Sequence, residues 1–267
     1  MTTESFRWAA GSAYERYVGR WSRPVAVEFV RWLELERGSR ALDVGCGTGA
    51  LTEALLELAD PAEVVGVDPS EGYVEHARER VADPRASFRV AEAETLPFVD
   101  GSFAAAVSGL VLNFVADPRR AVAESARVVG DGGMVAAYVW DYAGRMELMR
   151  YFWDAAVDLD PDAAERDEGR RFPICEPTAL ARLLDEGSLL DVETREILVP
   201  TIFRDFDDYW EPFLSGEAPA PGYAISLDDE RQASLRERLR ATLPTRGDGS
   251  IALVARAWAV RGTKRAP

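Results

Sequence analysis

The sequence predicts an α/β fold of the Rossmann-like type, in which a seven-stranded, mostly parallel sheet carries helices on both faces. Short apolar runs alternate with amphipathic runs through the first half of the chain. Several of these runs, such as AAAVSGLVL at 104–112, are apolar throughout, which is typical of strands buried on both faces. A glycine-rich turn, DVGCGTG at 43–49, joins one such strand to the helix that follows it.

The predicted elements follow this alternation along the chain. The strands are expected at 39–45, 63–68, 86–93, 104–112, 133–140, 189–203 and 250–260. The helices are expected from the glycine turn to residue 59, from Ser70 to about Val81, and over 118–129, 146–159, 177–187, 205–214 and 227–243, the last with an aspartate cap. Residues 161–171 are predicted to form a solvated loop or a frayed helix, and 216–224 a connection rich in proline and glycine.

A length of 267 residues is compatible with one well-filled α/β domain with a cap, or with two small domains at most. We predict a single domain, 1–267, in which a helical cap is inserted after the fifth strand. Its parts are an N-terminal helical lid (1–38), a cofactor-binding core (39–140), cap segments (141–187 and 204–248) and the last two strands (189–203 and 250–260).

Charge and cysteine content argue against several classes of protein. The net charge of −15 and the absence of a basic stripe make nucleic acid an unexpected partner. Two cysteines, Cys46 and Cys175, imply no disulfide framework, so a cytoplasmic protein is expected. We find no signal peptide, no apolar run long enough to span a membrane and no metal-ligand arrangement around the single histidine, His76. Nothing in the sequence determines the oligomeric state.

The glycine-rich turn predicts a nucleotide-containing ligand. Gly45, Gly47 and Gly49 lack a Cβ atom, so they permit positive φ angles and let a ligand approach the backbone closely. Asp68 ends the next strand, roughly twenty residues after the turn, where an acidic group can accept hydrogen bonds from ribose hydroxyls.

Two classes of cofactor share this geometry. The spacing Gly45-x-Gly47-x-x-Ala50 also satisfies the dinucleotide fingerprint, so a nicotinamide dinucleotide is the alternative. Asp43 favours the other class, because a carboxylate two residues before the first glycine repels a pyrophosphate and attracts a cationic amino group. S-adenosylmethionine carries an ammonium and a sulfonium group, and we therefore predict it as the cofactor.

Residues 39–140 resemble the core of class I S-adenosylmethionine-dependent methyltransferases, specifically the small-molecule branch that includes enzymes of ubiquinone and menaquinone biosynthesis. LDVGCGTG (42–49) matches the first motif of that family and VVGVDPS (64–70) matches the second. FRVAEAETLPF (88–98) resembles the third motif, with glutamate in place of its aspartate. RVVGDGGMV (127–135) resembles the RVLKPGG turn of the family, with Asp131 in place of its proline.

The resemblance implies a set of cofactor-binding residues. Asp43, Gly45 and Gly47 would line the methionine part, and Cys46 and Gly49 of the same turn are also counted as cofactor-binding. Asp68 would hold the ribose, and the adenine would be contacted by Pro69, Tyr73, Glu92 and Ala93. Ser108, Gly109 and Leu110 would lie beside the sulfonium, and Tyr14 and Trp21 belong to an N-terminal helix that covers the cofactor in relatives. For these last two aromatic residues, a place in the core is an equally good interpretation.

The implied chemistry is methyl transfer to a small, partly apolar molecule by in-line displacement, which requires proximity and alignment more than a side-chain nucleophile. A general base helps only where the acceptor must lose a proton. Relatives often carry a pair of histidines where this chain has Asn113 and Phe114, so no catalytic residue is predicted. A cofactor-binding protein that transfers nothing is the alternative function. The acceptor and the methylated atom are not predicted.

Overall fold

The computed structural model describes residues 19–215 and 218–266. The strands are β1 (Arg40–Val44), β2 (Glu63–Asp68), β3 (Ala86–Val90), β4 (Phe103–Gly109), β5 (Val129–Trp140), β6 (Leu189–Phe203) and β7 (Ile251–Lys264). The helices are α1 (Arg20–Leu33), α2 (Ala50–Leu58), α3 (Glu71–Arg80), α4 (Pro118–Val128), α5 (Glu147–Leu159), α6 (Glu168–Arg171), α7 (Pro177–Glu186), α8 (Phe206–Trp210), α9 (Pro219–Ser226) and α10 (Asp229–Thr242). Two 3₁₀ turns cover Pro161–Glu165 and Glu211–Leu214.

The seven strands form one sheet in the order β3-β2-β1-β4-β5-β7-β6. This confirms the predicted Rossmann-like α/β fold, but the sheet is mixed rather than simply parallel. The pairings from β3 to β5 are parallel, whereas β7 runs antiparallel to both β5 and β6. The reason is that β7 enters between β5 and β6 in the opposite direction after the long connection formed by α8, α9 and α10.

The order of the strands determines where a ligand can bind. From β1 the chain proceeds to β2 and β3 on one side of the sheet, and then to β4 and β5 on the other. In open α/β sheets the crevice at such a reversal, beyond the carboxyl ends of the strands, is the usual ligand site. Gly45 follows β1, Asp68 ends β2 and Leu110 follows β4, so these residues meet at this end of the sheet.

Three local predictions are corrected. Strand β4 ends at Gly109 instead of Leu112, because Leu110 has a φ of 63° and turns the chain out of the sheet. The connection predicted at 216–224 contains α9, although residues 216 and 217 lie outside the described part. The charged segment 161–171 is not solvated throughout, since Asp167 and Glu168 are buried.

The charged pair in this segment is buried because α5 supplies its partners. Arg150 donates hydrogen bonds to both carboxylate oxygens of Asp167, at 3.0 and 2.9 Å. The indole N–H of Trp153 donates to Glu168. A buried carboxylate is tolerated when such donors compensate its lost hydration. The segment therefore packs against the helix that follows β5.

The cap of the last helix agrees with its prediction. Asp228 precedes α10, and its side chain accepts a hydrogen bond from the backbone N–H of Arg231 at 2.8 Å. Within residues 19–215 and 218–266, no helix has the length and apolar character needed to cross a membrane.

Candidate functional site

A cavity of about 750 Å³ opens beyond the carboxyl ends of β1, β2 and β4. It lies at the reversal of strand order, where the fold predicts a ligand site. Its walls come from α1 and from the segments that follow the strands. The lining residues are Ser22, Gly45–Thr48, Ala50, Leu51, Asp68–Glu71, Tyr73, Glu92–Glu94, Gly109–Val111, Phe114–Ala116 and Tyr138.

The three glycines of the turn serve different purposes. A Cβ on Gly45 would lie 2.4 Å from the Cγ2 of Val111, so this glycine allows the turn to contact the segment after β4. A Cβ on Gly47 would meet nothing within 4 Å, so a side chain there would occupy the open space of the cavity. Gly49, with a φ of 89°, does not line the cavity, and its Cβ would lie 2.8 Å from Val81 beside α3.

Asp68 connects the two loops on this side of the cavity. Its Oδ2 accepts a hydrogen bond from the backbone N–H of Gly47 at 3.0 Å, and its Oδ1 accepts one from that of Ser70 at 2.9 Å. Burial raises the pKa of Asp68 and the charge of Glu92 adds to this effect, while the two N–H donors oppose it. The carboxylate thus fixes the glycine turn relative to the start of α3 and still forms part of the wall.

Asp43 lies beneath the turn and not on the cavity wall. Its side chain is fully buried, and its Oδ2 accepts a hydrogen bond from the hydroxyl of Thr52 at 2.7 Å. Its Oδ1 has no hydrogen-bond partner in the described part of the chain. Burial raises the pKa of Asp43 to about 7, and the nearby charge of Asp68 contributes. A cation bound above the turn would favour the ionised form of this group.

The residues predicted to contact an adenine form the wall beyond β2 and β3. Pro69 and Tyr73 line the cavity with Glu92 and Ala93. The Tyr73 side chain is buried, and its backbone N–H donates to the hydroxyl of Ser70, which caps α3. Glu92 is exposed at the mouth of the cavity. This wall therefore combines the side chains of Pro69, Tyr73 and Ala93 with a carboxylate at its edge.

The opposite wall, after β4 and β5, is largely apolar. It consists of Gly109, Leu110, Val111, Phe114, Val115, Ala116 and Tyr138. The phenol of Tyr138 is the one polar side chain among these wall residues. Ser108 and Asn113 are buried nearby without lining the cavity, and no described group bonds the Ser108 hydroxyl or either end of the Asn113 amide.

The charges around the cavity have one sign. Asp68, Glu71, Glu92 and Glu94 are on its walls, and the wall residues that the structure describes include no lysine or arginine. Asp43 adds a further titratable carboxyl group beneath the turn. Carboxylates in a concave, partly buried site attract cations and repel phosphates. The cavity is therefore suited to a cationic ligand and poorly suited to a pyrophosphate.

The structure brings most of the predicted site residues together. Those that line the cavity are Gly45, Cys46, Gly47, Asp68, Pro69, Tyr73, Glu92, Ala93 and Leu110, and those that do not are Trp21, Asp43, Gly49 and Ser108. Tyr14 lies outside the described residues. His76, on α3, also lies away from the walls. Burial raises the pKa of the Cys46 thiol well above its usual value, which keeps that group neutral.

Helix α1 contributes a different residue from the one predicted. The Trp21 ring packs edge-on against Phe203 of β6, with ring centroids 5.5 Å apart. The next residue, Ser22, lines the cavity, and its hydroxyl donates to the carbonyl of Gly19 at 2.8 Å. No motif distinguishes Ser22 in the sequence, because its position depends on how α1 packs across the sheet. Thr52, the partner of Asp43, could have been anticipated from its place in the first turn of α2.

The geometry fits S-adenosylmethionine better than a dinucleotide. Gly47 leaves open space where a ligand chain can approach the backbone. Asp68 presents a carboxylate at the end of β2, and the charged wall residues within the described part of the chain are all acidic. No group of three or more potential metal ligands occurs among residues 19–215 and 218–266.

Comparison with protein families agrees with the resemblance predicted from the motifs. Residues 42–137 match the family described as "Methyltransferase domain". The chain is 42% identical over 99 residues to demethylmenaquinone methyltransferase of Clavibacter sepedonicus, a match that covers 37% of this chain and 40% of that protein. The chain spans only 30% to 40% of the length of the first three curated relatives it matches.

Solved structures with the same fold cover nearly the whole chain. The YcgJ protein of Bacillus subtilis is 20% identical, with a TM-score of 0.60 over 91% of this chain and 99% of that one. The [4+2]-cyclase SpnF is also 20% identical, with a TM-score of 0.54 over 93% of this chain and 81% of that one. At these identities the likeness concerns the fold alone. The family match and the Clavibacter relative confirm the predicted resemblance to methyltransferases, and the solved structures agree with the fold that it implies.

Proposed function

We propose that this chain, whose residues 42–137 match the methyltransferase domain family, binds S-adenosylmethionine in the cavity and transfers its methyl group to a small molecule. One observation carries the proposal. The open space at Gly47 and the carboxylate of Asp68 lie together in a cavity whose charged wall residues, among those that the structure describes, are all acidic. A sulfonium nucleoside with a free amino group matches this arrangement.

The proposed roles of the residues follow from their positions. Asp68 accepts hydrogen bonds from the ribose hydroxyls, and Pro69 and Tyr73 pack against the adenine. The methionine part lies along the turn at Gly45 and Gly47, with Asp43 beneath it. In this arrangement the buried carboxyl group of Asp43 acts through the electric field and not by direct contact.

The bound cofactor supplies a methyl carbon that its positively charged sulfur makes electrophilic. The protein holds this carbon in line with the acceptor and excludes water from it. Alignment of this kind contributes about 7–11 kcal/mol to lowering a barrier. The wall formed by Leu110, Val111 and Phe114 gives the excluded-water surface on the acceptor side.

The apolar wall supports an uncharged, partly apolar acceptor. Phe114 is 41% exposed at the cavity and packs edge-on against Phe172, with ring centroids 5.3 Å apart. Phe172 lies in the segment between β5 and β6 and also contacts Tyr142. We propose that segments 141–187 and 204–248 form a cap around the acceptor and that the N-terminal region acts as a lid. The name of the Clavibacter relative, a demethylmenaquinone methyltransferase, is in keeping with an apolar acceptor.

A second candidate function is cofactor binding without methyl transfer. The described wall residues after β4 and β5 offer no histidine or carboxylate as a base. A solved protein of the same fold is named as a [4+2]-cyclase, so the fold by itself is compatible with other chemistry.

Calorimetry with S-adenosylmethionine and S-adenosylhomocysteine tests the cofactor assignment. We expect both to bind the wild-type protein, and Asp68→Ala to weaken binding by about 100-fold or more, since hydrogen bonds to a charged group contribute about 1.5–3 kcal/mol each. Asp185→Ala is the matched control, because Asp185 is an exposed aspartate on α7 away from the cavity. Equal affinity in wild type and Asp68→Ala would contradict the assignment, and binding of NADH instead would favour the dinucleotide alternative.

A labelled-methyl assay separates the two candidate functions. The protein is incubated with methyl-labelled S-adenosylmethionine and the small-molecule fraction of a bacterial extract. Label that moves into an extractable product supports transfer. Tight cofactor binding with no transferred label across a panel of extracts supports the protein that transfers nothing.

A further inference from the structure

The side chain of Tyr138 crosses from β5 to the end of β4. Tyr138 is paired in register with Gly109, and its backbone carbonyl accepts a hydrogen bond from the N–H of Leu110 at 2.8 Å. Both Tyr138 and Gly109 line the cavity, and Tyr138 is only 2% exposed. The phenol of Tyr138 therefore reaches the cavity at β1 and β4, although β5 itself does not pair with β1.

The glycine on β4 makes this crossing possible. A Cβ on Gly109 would lie 2.6 Å from the hydroxyl oxygen of Tyr138 and 2.7 Å from its Cζ, so the phenol occupies the space that any side chain at 109 would take. The ring of Phe29, on α1, packs against that of Tyr138 with centroids 4.7 Å apart. Packing on both sides therefore restricts where the hydroxyl can lie.

This position corresponds to the centre of the proposed ligand. In the proposed function the ribose lies at Asp68, after β2, and the methionine part lies along the turn at Gly47, after β1. The sulfonium joins these two parts, so it lies over the end of β1, and β4 is the neighbour of β1 on the other side. The hydroxyl over Gly109 is on that side of the cavity. It is also the one polar side chain that the described wall after β4 and β5 presents.

We propose that the hydroxyl oxygen of Tyr138 contacts the transferred methyl group of bound S-adenosylmethionine and accepts a C–H hydrogen bond from it, which makes Tyr138 a catalytic residue of the proposed function. The positive sulfur polarises the methyl C–H bonds, and a polarised C–H is a donor for an oxygen acceptor. In the transfer itself the S–CH₃ bond breaks with its electron pair remaining on sulfur, and a lone pair of the acceptor forms the new bond to carbon. Tyr138 neither gains nor loses a proton and serves to orient the carbon.

The two forms of the cofactor provide a direct test, because S-adenosylhomocysteine lacks the methyl group. Calorimetry on the wild-type protein and Tyr138→Phe gives the ratio of their dissociation constants. We expect Tyr138→Phe to raise the dissociation constant of S-adenosylmethionine by about two- to five-fold. The dissociation constant of S-adenosylhomocysteine should change by less than about two-fold. Tyr142→Phe is the matched control, since it removes a buried phenol oxygen just beyond the same strand but outside the cavity, and we expect it to change neither.

A measurement on the wild-type protein covers the case in which Tyr138→Phe does not fold. The methyl proton resonance of ¹³C-methyl-labelled S-adenosylmethionine is expected downfield of the free cofactor when bound to the wild type, and nearer the free value in Tyr138→Phe. An unshifted or upfield resonance in the wild type would overturn the proposal. Equal weakening of both ligands by Tyr138→Phe would also overturn it, because the hydroxyl would then act on a part they share. If the wild type binds neither ligand, the proposed function fails instead.

Discussion

The two sides of the cavity are constructed differently. On the side of β1 and β2, the carboxylate of Asp68 accepts hydrogen bonds from the backbone of Gly47 and Ser70, and acidic side chains form the wall. On the side of β4 and β5, the wall residues that the structure describes are apolar apart from the phenol of Tyr138. The first side has defined hydrogen-bonding geometry, while the second provides mainly shape.

This difference separates two kinds of recognition. A ligand on the β1–β2 side must match fixed donors, acceptors and charge, so only a narrow class of cofactor fits. A ligand on the β4–β5 side must only fill an apolar surface, and hydrophobic contacts are not directional. We therefore expect substitutions on the β1–β2 side to affect cofactor binding and those on the β4–β5 side to affect methyl transfer to the acceptor. The two sides touch at Gly45 and Val111.

The largest effect is expected at that contact. Gly45→Ala would place a Cβ 2.4 Å from the Cγ2 of Val111 in a residue with a φ of 76°. We expect a loss of about 2–5 kcal/mol in the free energy of unfolding, from backbone strain together with overpacking. Urea denaturation measures the loss.

Gly38→Ala is the control for Gly45→Ala. Gly38 also has a positive φ, 72°, but a Cβ there would meet nothing within 4 Å. It should therefore show the backbone strain alone, about 1–2 kcal/mol. If both variants lose the same free energy of unfolding, the close contact between Gly45 and Val111 does not contribute to the loss in Gly45→Ala.

A second comparison concerns two buried carboxyl groups, Asp43 beneath the turn and Glu168 in the segment after β5. Burial raises the pKa of Glu168 to about 7, with the charge of Asp167 adding to it and the indole N–H of Trp153 opposing it. The folded protein therefore takes up a proton at Glu168 more readily than the unfolded chain. This group lowers the free energy of unfolding as the pH rises from about 4.5 to 7, with no further change above.

We expect Glu168→Gln to remove this decline. The variant should gain on the order of 3 kcal/mol relative to wild type at pH 8, and little at pH 4.5. Urea denaturation across this pH range measures the gain, and Glu165→Gln is the matched control because Glu165 is exposed on the same segment. A constant difference between variant and wild type at all pH values would show that Glu168 does not titrate in this range. Cofactor affinity should not change, since Glu168 does not line the cavity.

For Asp43 the expected effect is on the affinity of the protein for S-adenosylmethionine. Its pKa of about 7 means that it ionises as the pH rises from 6 to 8, and the ionised form attracts the cationic cofactor. We expect the affinity of the wild type for S-adenosylmethionine to rise over this interval by up to about ten-fold more than that of Asp43→Asn. The amino group of the cofactor titrates in the same range, so the difference between the two proteins is the measured quantity. Parallel pH profiles would contradict the role of Asp43.

The smallest effect on cofactor binding is expected on the apolar side. Phe114→Ala should leave the dissociation constant of S-adenosylmethionine within two-fold, because Phe114 lies away from the polar wall. It should lower the transfer of labelled methyl groups to an extract by about ten-fold, since it removes apolar surface from the acceptor side. Val99→Ala, at an exposed residue outside the cavity, is the control. A strong loss of cofactor affinity in Phe114→Ala would show that the two sides are not separable.

The residues on the β1–β2 side of the cavity can be predicted from the sequence, whereas those on the β4–β5 side largely cannot. Gly45, Gly47 and Asp68 are found from the sequence because a turn between strand and helix requires glycine, and a ribose requires an acceptor at the next strand end. Tyr138 lies inside the fifth predicted strand (133–140) and no motif distinguishes it there. Its importance depends on its pairing with Gly109, which no local pattern reveals.

Local patterns in the sequence predict the alternation of strands and helices, the glycine turn and the acidic residue after the second strand, because these depend on local backbone geometry and on spacing along one chain. Three features are seen only in the folded chain: β7 runs antiparallel between β5 and β6, Asp43 lies beneath the cavity and not on its wall, and Ser22 and Tyr138 line the cavity. Each of these depends on which distant segments pack together. Packing of that kind is set by the whole hydrophobic core and leaves no periodic or spaced signal in the sequence.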